Sequence, residues 1–553
     1  MDPVIVVGSG PVGLSLSLAL AGHGVPSVLL DEGPGKEEPR PARSVVLHAD
    51  TAAMAHRLGC TTLRDEGVPF AGWRTMRRRQ ETRRITFEDR PAPLHLPQHA
   101  LTRGLRDAAH AHPLVQVVTD AKLDALEQDA HGVTAHTRGS STTWWRGSHL
   151  VGCDGARSTV RKLLDIRFPG RTAVERYAVA ALRAELPWPG EALLHRNPPS
   201  GPEEITARPL PDGVWRLDWL LPSRGDLVTP DALVKLIRDS LALWCGGKTP
   251  PYDLIDTGVH TLHHRLARRW RDGRAFLAGD AAHLLGAVGT QGVEEGLRDA
   301  ENLAWKLALA WHQGASEALL DSYGDERRTA VAARLRAADQ AMSALRGGGG
   351  LRTLVPGATR SAEALLTDGH LGRGPLGSEP VYAPPVAVRE VPTATEPGGP
   401  VADVPVTAPD GSTVPLRDLL GRGRLLVLLV APGTGVWDRR HWVGAGLMPR
   451  LAAAVDALPV RADLLVADAY PGAPAHTVLL VRPDGHLAAT FAGVLPAELY
   501  AAADAVRAGA PAGEDGGQDG GQGSGKGSGK VAGAGVPALR PALDAATSAP
   551  VID

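Results

Sequence analysis

Four apolar residues, Val4-Ile5-Val6-Val7, run directly into Gly8-Ser9-Gly10-Pro11-Val12-Gly13 and then into a Leu- and Ala-rich stretch, Leu14 to Ala21. A short buried strand, a turn built on glycine, a helix and a second strand at Pro26–Leu30 make a βαβ unit of about 30 residues. Such a unit commits the chain to a parallel sheet with helices on its faces, an α/β fold. In G-x-G-x-x-G the first glycine permits the turn, the second lets backbone approach a pyrophosphate, and the third lets helix pack on strand. The helix then turns its free N–H groups toward the phosphate. Asp31 ends the second strand, 23 residues after Gly8, where a carboxylate accepts from a ribose 2′-OH and disfavours a 2′-phosphate. The site suits FAD or NAD better than NADP. Taken alone, the motif also reads as a Gly-rich turn with no ligand.

Charge and cysteine usage narrow the setting. With 59 Lys and Arg against 61 Asp and Glu, the net charge of −2 gives no long-range field for nucleic acid or an anionic membrane. Cys60, Cys153 and Cys245 are odd in number, far apart, and form no C-x-x-C or metal-ligand spacing. A disulfide framework is excluded, and a reducing compartment fits. The apolar run Leu425–Ala431 is far too short to span a bilayer. Asp2 stands where a signal peptide would be basic, so the chain reads as cytoplasmic.

At 553 residues the chain has room for about three domains. Mixed strands and helices are predicted to about residue 175. From Tyr177 to Pro222 the pattern is strand-like, and Val214-Trp215-Arg216-Leu217-Asp218-Trp219 alternates, with Trp215, Leu217 and Trp219 on one face. That face reads either as the lining of an aromatic-substrate pocket or as core packing. Helices are predicted at Asp231–Leu243 and Gly296–Gln313, a break at Gly347–Gly350, and a Pro- and Gly-rich linker at 371–400. A second α/β pattern follows, with strands at Leu425–Val430 and Leu464–Ala467, helices at Met448–Leu458 and Pro496–Ala508, and a hairpin about Arg482-Pro483-Asp484-Gly485. The tail from 511 is low in complexity, and disorder is expected there.

Two further motifs carry chemistry. Gly152-Cys153-Asp154-Gly155-Ala156-Arg157-Ser158 follows a predicted strand, His149–Val151, and taken alone is a turn. Gly273 to His283 reads as a buried strand ending in Gly279-Asp280, and Gly289-Thr290-Gln291-Gly292 then opens a helix. A Gly-Asp at a strand end sets one carboxylate beside a closely approached ligand. The helix start offers partial positive charge to a ring that gains negative charge on reduction.

In this order the three motifs resemble those of the FAD-dependent aromatic hydroxylases, the para-hydroxybenzoate hydroxylase and phenol hydroxylase-like flavoprotein monooxygenases. The resemblance covers residues 1 to about 345. The segments PLRDLLGRGRLLVLLV and VLLVRPDGHLAATF are similar to the thioredoxin-like tail of phenol and aromatic-polyketide hydroxylases. It implies a Rossmann-like FAD-binding domain (1–175 and 266–370), an inserted mixed β-sheet substrate domain (176–265), a linker (371–400), a thioredoxin-like α/β domain (401–510) and a tail (511–553). Gly8, Gly10 and Gly13 would hold the FAD pyrophosphate and Asp31 the adenosine ribose. Arg43 and Gln98 would contact the cofactor, and Leu123 would offer backbone to adenine. Asp154 would serve FAD and NAD(P)H together, and Asp280 the ribityl chain. Gly292, Val293 and Glu294 would present N–H groups to the flavin's pyrimidine edge.

The implied reaction is NAD(P)H- and dioxygen-dependent hydroxylation of a polycyclic aromatic polyketide or related phenol through a flavin C4a-hydroperoxide, with NAD(P)H a transient co-substrate and room for a homodimer. The cofactor carries that chemistry, so no side-chain nucleophile is needed. His48, His95 and His283 are candidates near the ring, each with a structural reading beside it. The family pattern is broken at Ala287, Thr290 and Glu294, and at Asp50 and Ala53. A carboxylate at 294 would repel a reduced flavin unless it turns away or is protonated. These departures keep open a Baeyer–Villiger oxygenase, a dehydrogenase, or a degenerate flavoprotein. A halogenase is disfavoured for want of W-x-W-x-I-P. The C-terminal α/β region has no cysteine, which excludes thiol redox chemistry there.

Overall fold

The computed structural model describes residues 1–35, 38–88, 91–139, 143–222, 228–286, 291–345, 364–365, 367–384, 391–433 and 447–509. Ala287, Thr290, the Gly347–Gly350 break and the tail from 511 lie outside the described residues.

Val4–Val7 lies at the centre of a six-stranded sheet. On one side it pairs in parallel with Ser27–Leu30 and, through it, with Val115–Val118. On the other it pairs with His149–Gly152 and then Ala275–Leu277, all parallel. The short antiparallel Arg271–Asp272 closes that edge. All four residues of the first strand are buried, as an apolar run covered on both faces requires. Helix Pro11–Gly22 packs against Gln98–Ala111 and Gln291–Gln313. A three-stranded antiparallel meander, Ala121–Gln128, Val133–Gly139 and Thr143–Gly147, leads into His149–Gly152.

The second layer is a mixed eight-stranded sheet. Its order is His283–Leu284, Tyr252–Leu266, Gly170–Ala184, Val214–Leu221, Glu204–Pro209, Glu191–Arg196, Gly72–Arg77 and Gln80–Thr86. The last two strands come from upstream of residue 176, so this sheet extends beyond the segment in which strand patterning is densest. Helix Pro230–Trp244 starts with Pro230 in its first turn and Thr229 accepting from the Ala232 N–H at 3.2 Å. It lays Ile237, Leu241 and Trp244 on one face of the sheet.

The C-terminal sheet runs Thr413–Pro415, Pro405–Thr407, Ala462–Ala467, Leu425–Val430, Thr477–Val481, Leu487–Ala492. Only the Leu425–Val430 and Ala462–Ala467 pair is parallel. Both faces are covered. Leu425, Val427 and Leu429 pack with helices Met448–Asp456 and Pro496–Ala508 and with Trp305, while Leu426, Leu428 and Val430 pack with Val401 and Leu416. Helix Pro496–Ala508 has Pro496 in its first turn and ends on Gly509 in the left-handed region. Arg482 and Asp484 of the hairpin meet Asn302, Trp305, Lys306 and Glu326 in a buried polar cluster that ties this sheet to the N-terminal helices. No helix among the described residues is long and apolar enough to cross a membrane.

Candidate active-site cleft

The glycine turn is shaped by two close approaches and one opening. Gly8 has φ +105°, and a Cβ there would sit 2.5 Å from the Cys153 carbonyl oxygen. A Cβ on Gly13 would lie 1.9 Å from the Gly8 oxygen. Gly10 meets nothing within 4 Å, so the chain is open to a ligand at the second glycine. Gly10 is also the N-cap of helix Pro11–Gly22, and no side chain caps that end. Asp31 fastens the turn by accepting from Ser9 N–H at 2.6 Å and Gly33 N–H at 2.8 Å. Asp154 caps helix Thr159–Leu163 by accepting from Thr159 and Val160 N–H at 2.6 and 3.0 Å, while its Oδ1 is buried without a partner. Leu123 is buried in the meander, opposite Thr137.

The strand Ala275–Leu277 delivers Gly279 and Asp280 to the floor of a cleft of about 450 Å³. Arg43, Gln98, Asp280 and Gly292 line one side, and Arg208, Arg216, Asp218 and His260 of the eight-stranded sheet line the other. Arg43 Nε donates to Gln98 Oε1 at 3.1 Å. The position a Cβ would take on Gly292 is 3.6 Å from Asp280 Oδ1. Asp280 is exposed to the cleft, and the protein packed around it raises its carboxyl above its ordinary range, against His283 and Arg43.

Glu294 follows at the start of the long helix but turns away from the cleft. Its Oε1 accepts from the His48 N–H and the Thr51 hydroxyl, both at 2.7 Å, and its Oε2 from His48 Nδ1 at 2.7 Å. His48 Nε2 donates to the His370 carbonyl at 3.1 Å. Both ring nitrogens thus face acceptors, which only the imidazolium satisfies. Burial opposes that charge, Glu294 outweighs burial, and His48 is raised. The partly buried Val293 packs against the main core.

The other two histidines singled out by sequence are also committed to the framework. His95 donates from Nδ1 to the Pro209 carbonyl at 2.7 Å and accepts at Nε2 from Ser44 Oγ at 2.6 Å. Burial, then Arg208, holds it well below the usual histidine range, so it is neutral. His283 donates to Asp299 at 2.8 Å and stacks on Trp270. Asp299 continues into Arg327, Glu295 and Arg298, a connected buried ion network that ends on the partly buried Asp50. Asp50, where the family carries another residue, is thus a partner of Arg298.

One sequence reading is corrected. Trp215, Leu217 and Trp219 do not line the cleft. They are buried against helix Pro230–Trp244, and Trp219 Nε1 donates to Ser240 Oγ at 2.9 Å. Side chains alternate along a strand, so covering the odd face with this helix turns Arg216 and Asp218 toward the cleft. His260, from a strand with no strong apolar alternation, went unnoticed in the sequence and is brought to the cleft by pairing opposite Tyr177.

Among curated relatives, the 3-(3-hydroxy-phenyl)propionate/3-hydroxycinnamic acid hydroxylase of Paraburkholderia xenovorans (strain LB400) is 32% identical over 352 residues. The match takes in 59% of this chain and about half, 52%, of that relative. The rifampicin monooxygenase of Streptomyces venezuelae is 32% identical over 384 residues, 64% of this chain and 75% of the relative. Among solved structures, OxyS anhydrotetracycline hydroxylase from Streptomyces rimosus superposes with a TM-score of 0.65 at 27% identity, covering 92% of this chain and all of that one (100%). Residues 1–338 match the model of the FAD binding domain. This chain therefore belongs to that FAD-dependent aromatic hydroxylase family, and FAD is its cofactor.

Proposed function

We propose that this protein is a monooxygenase that uses NAD(P)H and dioxygen to hydroxylate an aromatic, polycyclic substrate. The observation that carries the reading is the shared cleft: the Arg43, Gln98, Asp280 and Gly292 side opens onto the same space as the polar face of the eight-stranded sheet. The fit to FAD rests on the open approach at Gly10, the uncapped helix start and the unpaired Asp154 Oδ1. Relatives named as a hydroxyphenylpropionate and hydroxycinnamic acid hydroxylase and as a rifampicin monooxygenase support the reaction class.

In this reading Gly8, Gly10 and Gly13 take the pyrophosphate and Asp31 the ribose. Leu123 backbone faces adenine. Arg43 and Gln98 hold the cofactor near the cleft mouth, and Asp154 serves both FAD and visiting NAD(P)H. Asp280 meets the ribityl chain, and the backbone of Gly292, Val293 and Glu294 faces the pyrimidine edge. FAD, when bound, supplies the dioxygen-activating chemistry. The chain positions the ring and excludes water. With its carboxylate committed to His48, Glu294 brings no negative charge to the isoalloxazine position, and the hydroxylase reading is favoured over the Baeyer–Villiger and dehydrogenase ones. We assign the C-terminal sheet to a thioredoxin-like unit that acts by packing, since it has no cysteine.

The test is an absorbance spectrum of purified protein, anaerobic addition of NADPH, then turnover of polycyclic phenols under ¹⁸O-labelled dioxygen. Flavin that bleaches faster with a phenol present, and one labelled oxygen in the product, are expected. Bound flavin that no nicotinamide reduces, or unlabelled product, would overturn the reading.

A further inference from the structure

Every histidine singled out by sequence is spoken for, but one imidazole in the cleft is not. His260 lies on strand Tyr252–Leu266, is half-buried, and lines the cleft between the Arg43 and Asp280 side and the polar sheet face. None of the hydrogen bonds, ion pairs or ring contacts found among the described residues engages its ring. Its neighbours differ. His370 also lines the cleft but stacks on Trp73 at 5.2 Å, and burial pushes it down to about 3. His264 donates to Asp339 at 2.7 Å, and His263 and Tyr177 have partners of their own.

The charges around His260 are unevenly matched. On the adjoining strands Asp218 is shared by two guanidinium groups, Arg208 at 2.5 Å and Arg216 at 2.7 and 3.1 Å. Glu204 is held by Arg196 at 2.8 Å. On the cofactor side stand Arg43, Arg40 and Asp280, with Arg40 paired to Asp256 of His260's own strand. Two cations for one carboxylate leave the sheet face net positive where a substrate would lie. An oxyanion placed there would be stabilised, and a proton on His260 would be disfavoured. Burial first, then Arg216, with Arg43 and Arg40 adding and Asp218 opposing, lowers the His260 pKa, so the ring is a neutral acceptor near pH 7.

We propose that His260 accepts the proton of a phenolic hydroxyl bound in the cleft, leaving a phenolate whose charge is stabilised by Arg208 and Arg216. The assignment rests on the aromatic-hydroxylase reading above and supplies a catalytic residue for it. The phenolic O–H bond breaks, its electron pair stays on oxygen, and a new N–H bond forms on the unprotonated ring nitrogen of His260. Nothing is oxidised or reduced in this step. The imidazolium then yields its proton to water, which reaches the half-buried ring. A phenolate ring is more electron-rich than the phenol, which is what transfer of an electrophilic oxygen requires.

The test uses the FAD-loaded protein and 4-nitrophenol, whose ionised form is coloured. Bound 4-nitrophenol is expected to ionise at a pH lower by about one unit than free 4-nitrophenol, a tenfold gain in acidity. His260→Asn should keep that shift, which Arg208 and Arg216 supply, with FAD content and melting temperature as in the wild type. His260→Gln serves as the second variant if the asparagine form loses flavin. With a phenol that the enzyme hydroxylates, either variant should lower kcat by about 100-fold with little change in KM and remove the acid limb of the pH profile. A kcat and an acid limb that are unchanged in both variants would overturn the assignment of His260 but leave the hydroxylase reading intact. A holoprotein that binds neither 4-nitrophenol nor any turned-over phenol would overturn both.

Discussion

Glu326→Gln is expected to loosen the C-terminal sheet from the body of the protein by about 3 kcal/mol. Glu326 accepts from Arg482 at 2.7 and 2.9 Å, Lys306 at 2.8 Å and Asn302 at 2.7 Å. Asp484 is the second acid, taking bonds from Arg482 at 2.6 and 3.0 Å and from Trp305 at 3.1 Å. Two buried acids balance two buried cations, so amidation of Glu326 leaves one positive charge unmatched. Burial opposes the charge on Glu326, but Arg482 and Lys306 outweigh it and lower its pKa from 4.5 to about 2. At about 1.4 kcal/mol for each tenfold change in proton affinity, that depression is about 3 kcal/mol. Breaking a buried ion pair from one side has a similar cost. The assay is amide hydrogen exchange of strand Thr477–Val481 in FAD-loaded protein at pH 7, which reads the opening of this sheet. Protection is expected to fall by about 100-fold, and a second change, Lys306→Met, should restore part of it. Because the folded pKa is the lower one, the contribution is present above pH 4.5 and lost as pH falls through about 2. The gap between wild type and variant should close over that interval. A loss below about fivefold, the scale of an exposed pair, would refute the reasoning.

Other outcomes follow from the same geometry. Gly13→Ala, with its Cβ 1.9 Å from the Gly8 oxygen, should yield protein that no longer retains FAD, read from the flavin absorbance of the purified chain. Glu294→Ala should cost about 3 kcal/mol in urea unfolding by leaving buried His48 without its acceptor. The His48 pKa is raised on folding, so this stabilisation is full below about pH 6.5 and fades as pH climbs through the folded value, a trend that thermal melts of wild type against variant should show. Trp219→Phe should cost about 1 kcal/mol through the lost bond to Ser240 and leave 4-nitrophenol affinity unchanged; weakened ligand binding would return Trp219 to the cleft.

The βαβ opening, the glycine turns at Gly8–Gly13 and Gly152–Gly155, four of the six C-terminal strands and the final helix were legible in the residues. Their causes are local: apolar runs, turn residues and helix-start prolines act over a few positions. The glycine turn is a case where sequence and contacts agree, because backbone approaching backbone leaves no alternative to Gly8 and Gly13. Where a side chain points, and what it meets, was another matter. Alternation put Trp215, Leu217 and Trp219 on one face, but which face became core depended on helix Pro230–Trp244 docking from elsewhere in the chain. Glu294 read as a threat to a reduced ring until His48, 246 residues away, took up its carboxylate. His48, His95 and His283 looked like candidates by position and proved to be framework through partners distant in sequence. His260 looked like nothing and was carried to the cleft by strand pairing opposite Tyr177. Local composition determines elements and turns because their energies are short-ranged. Burial, ion pairing and a free imidazole in a cleft are properties of long-range contacts, and those exist only once the sheets have packed.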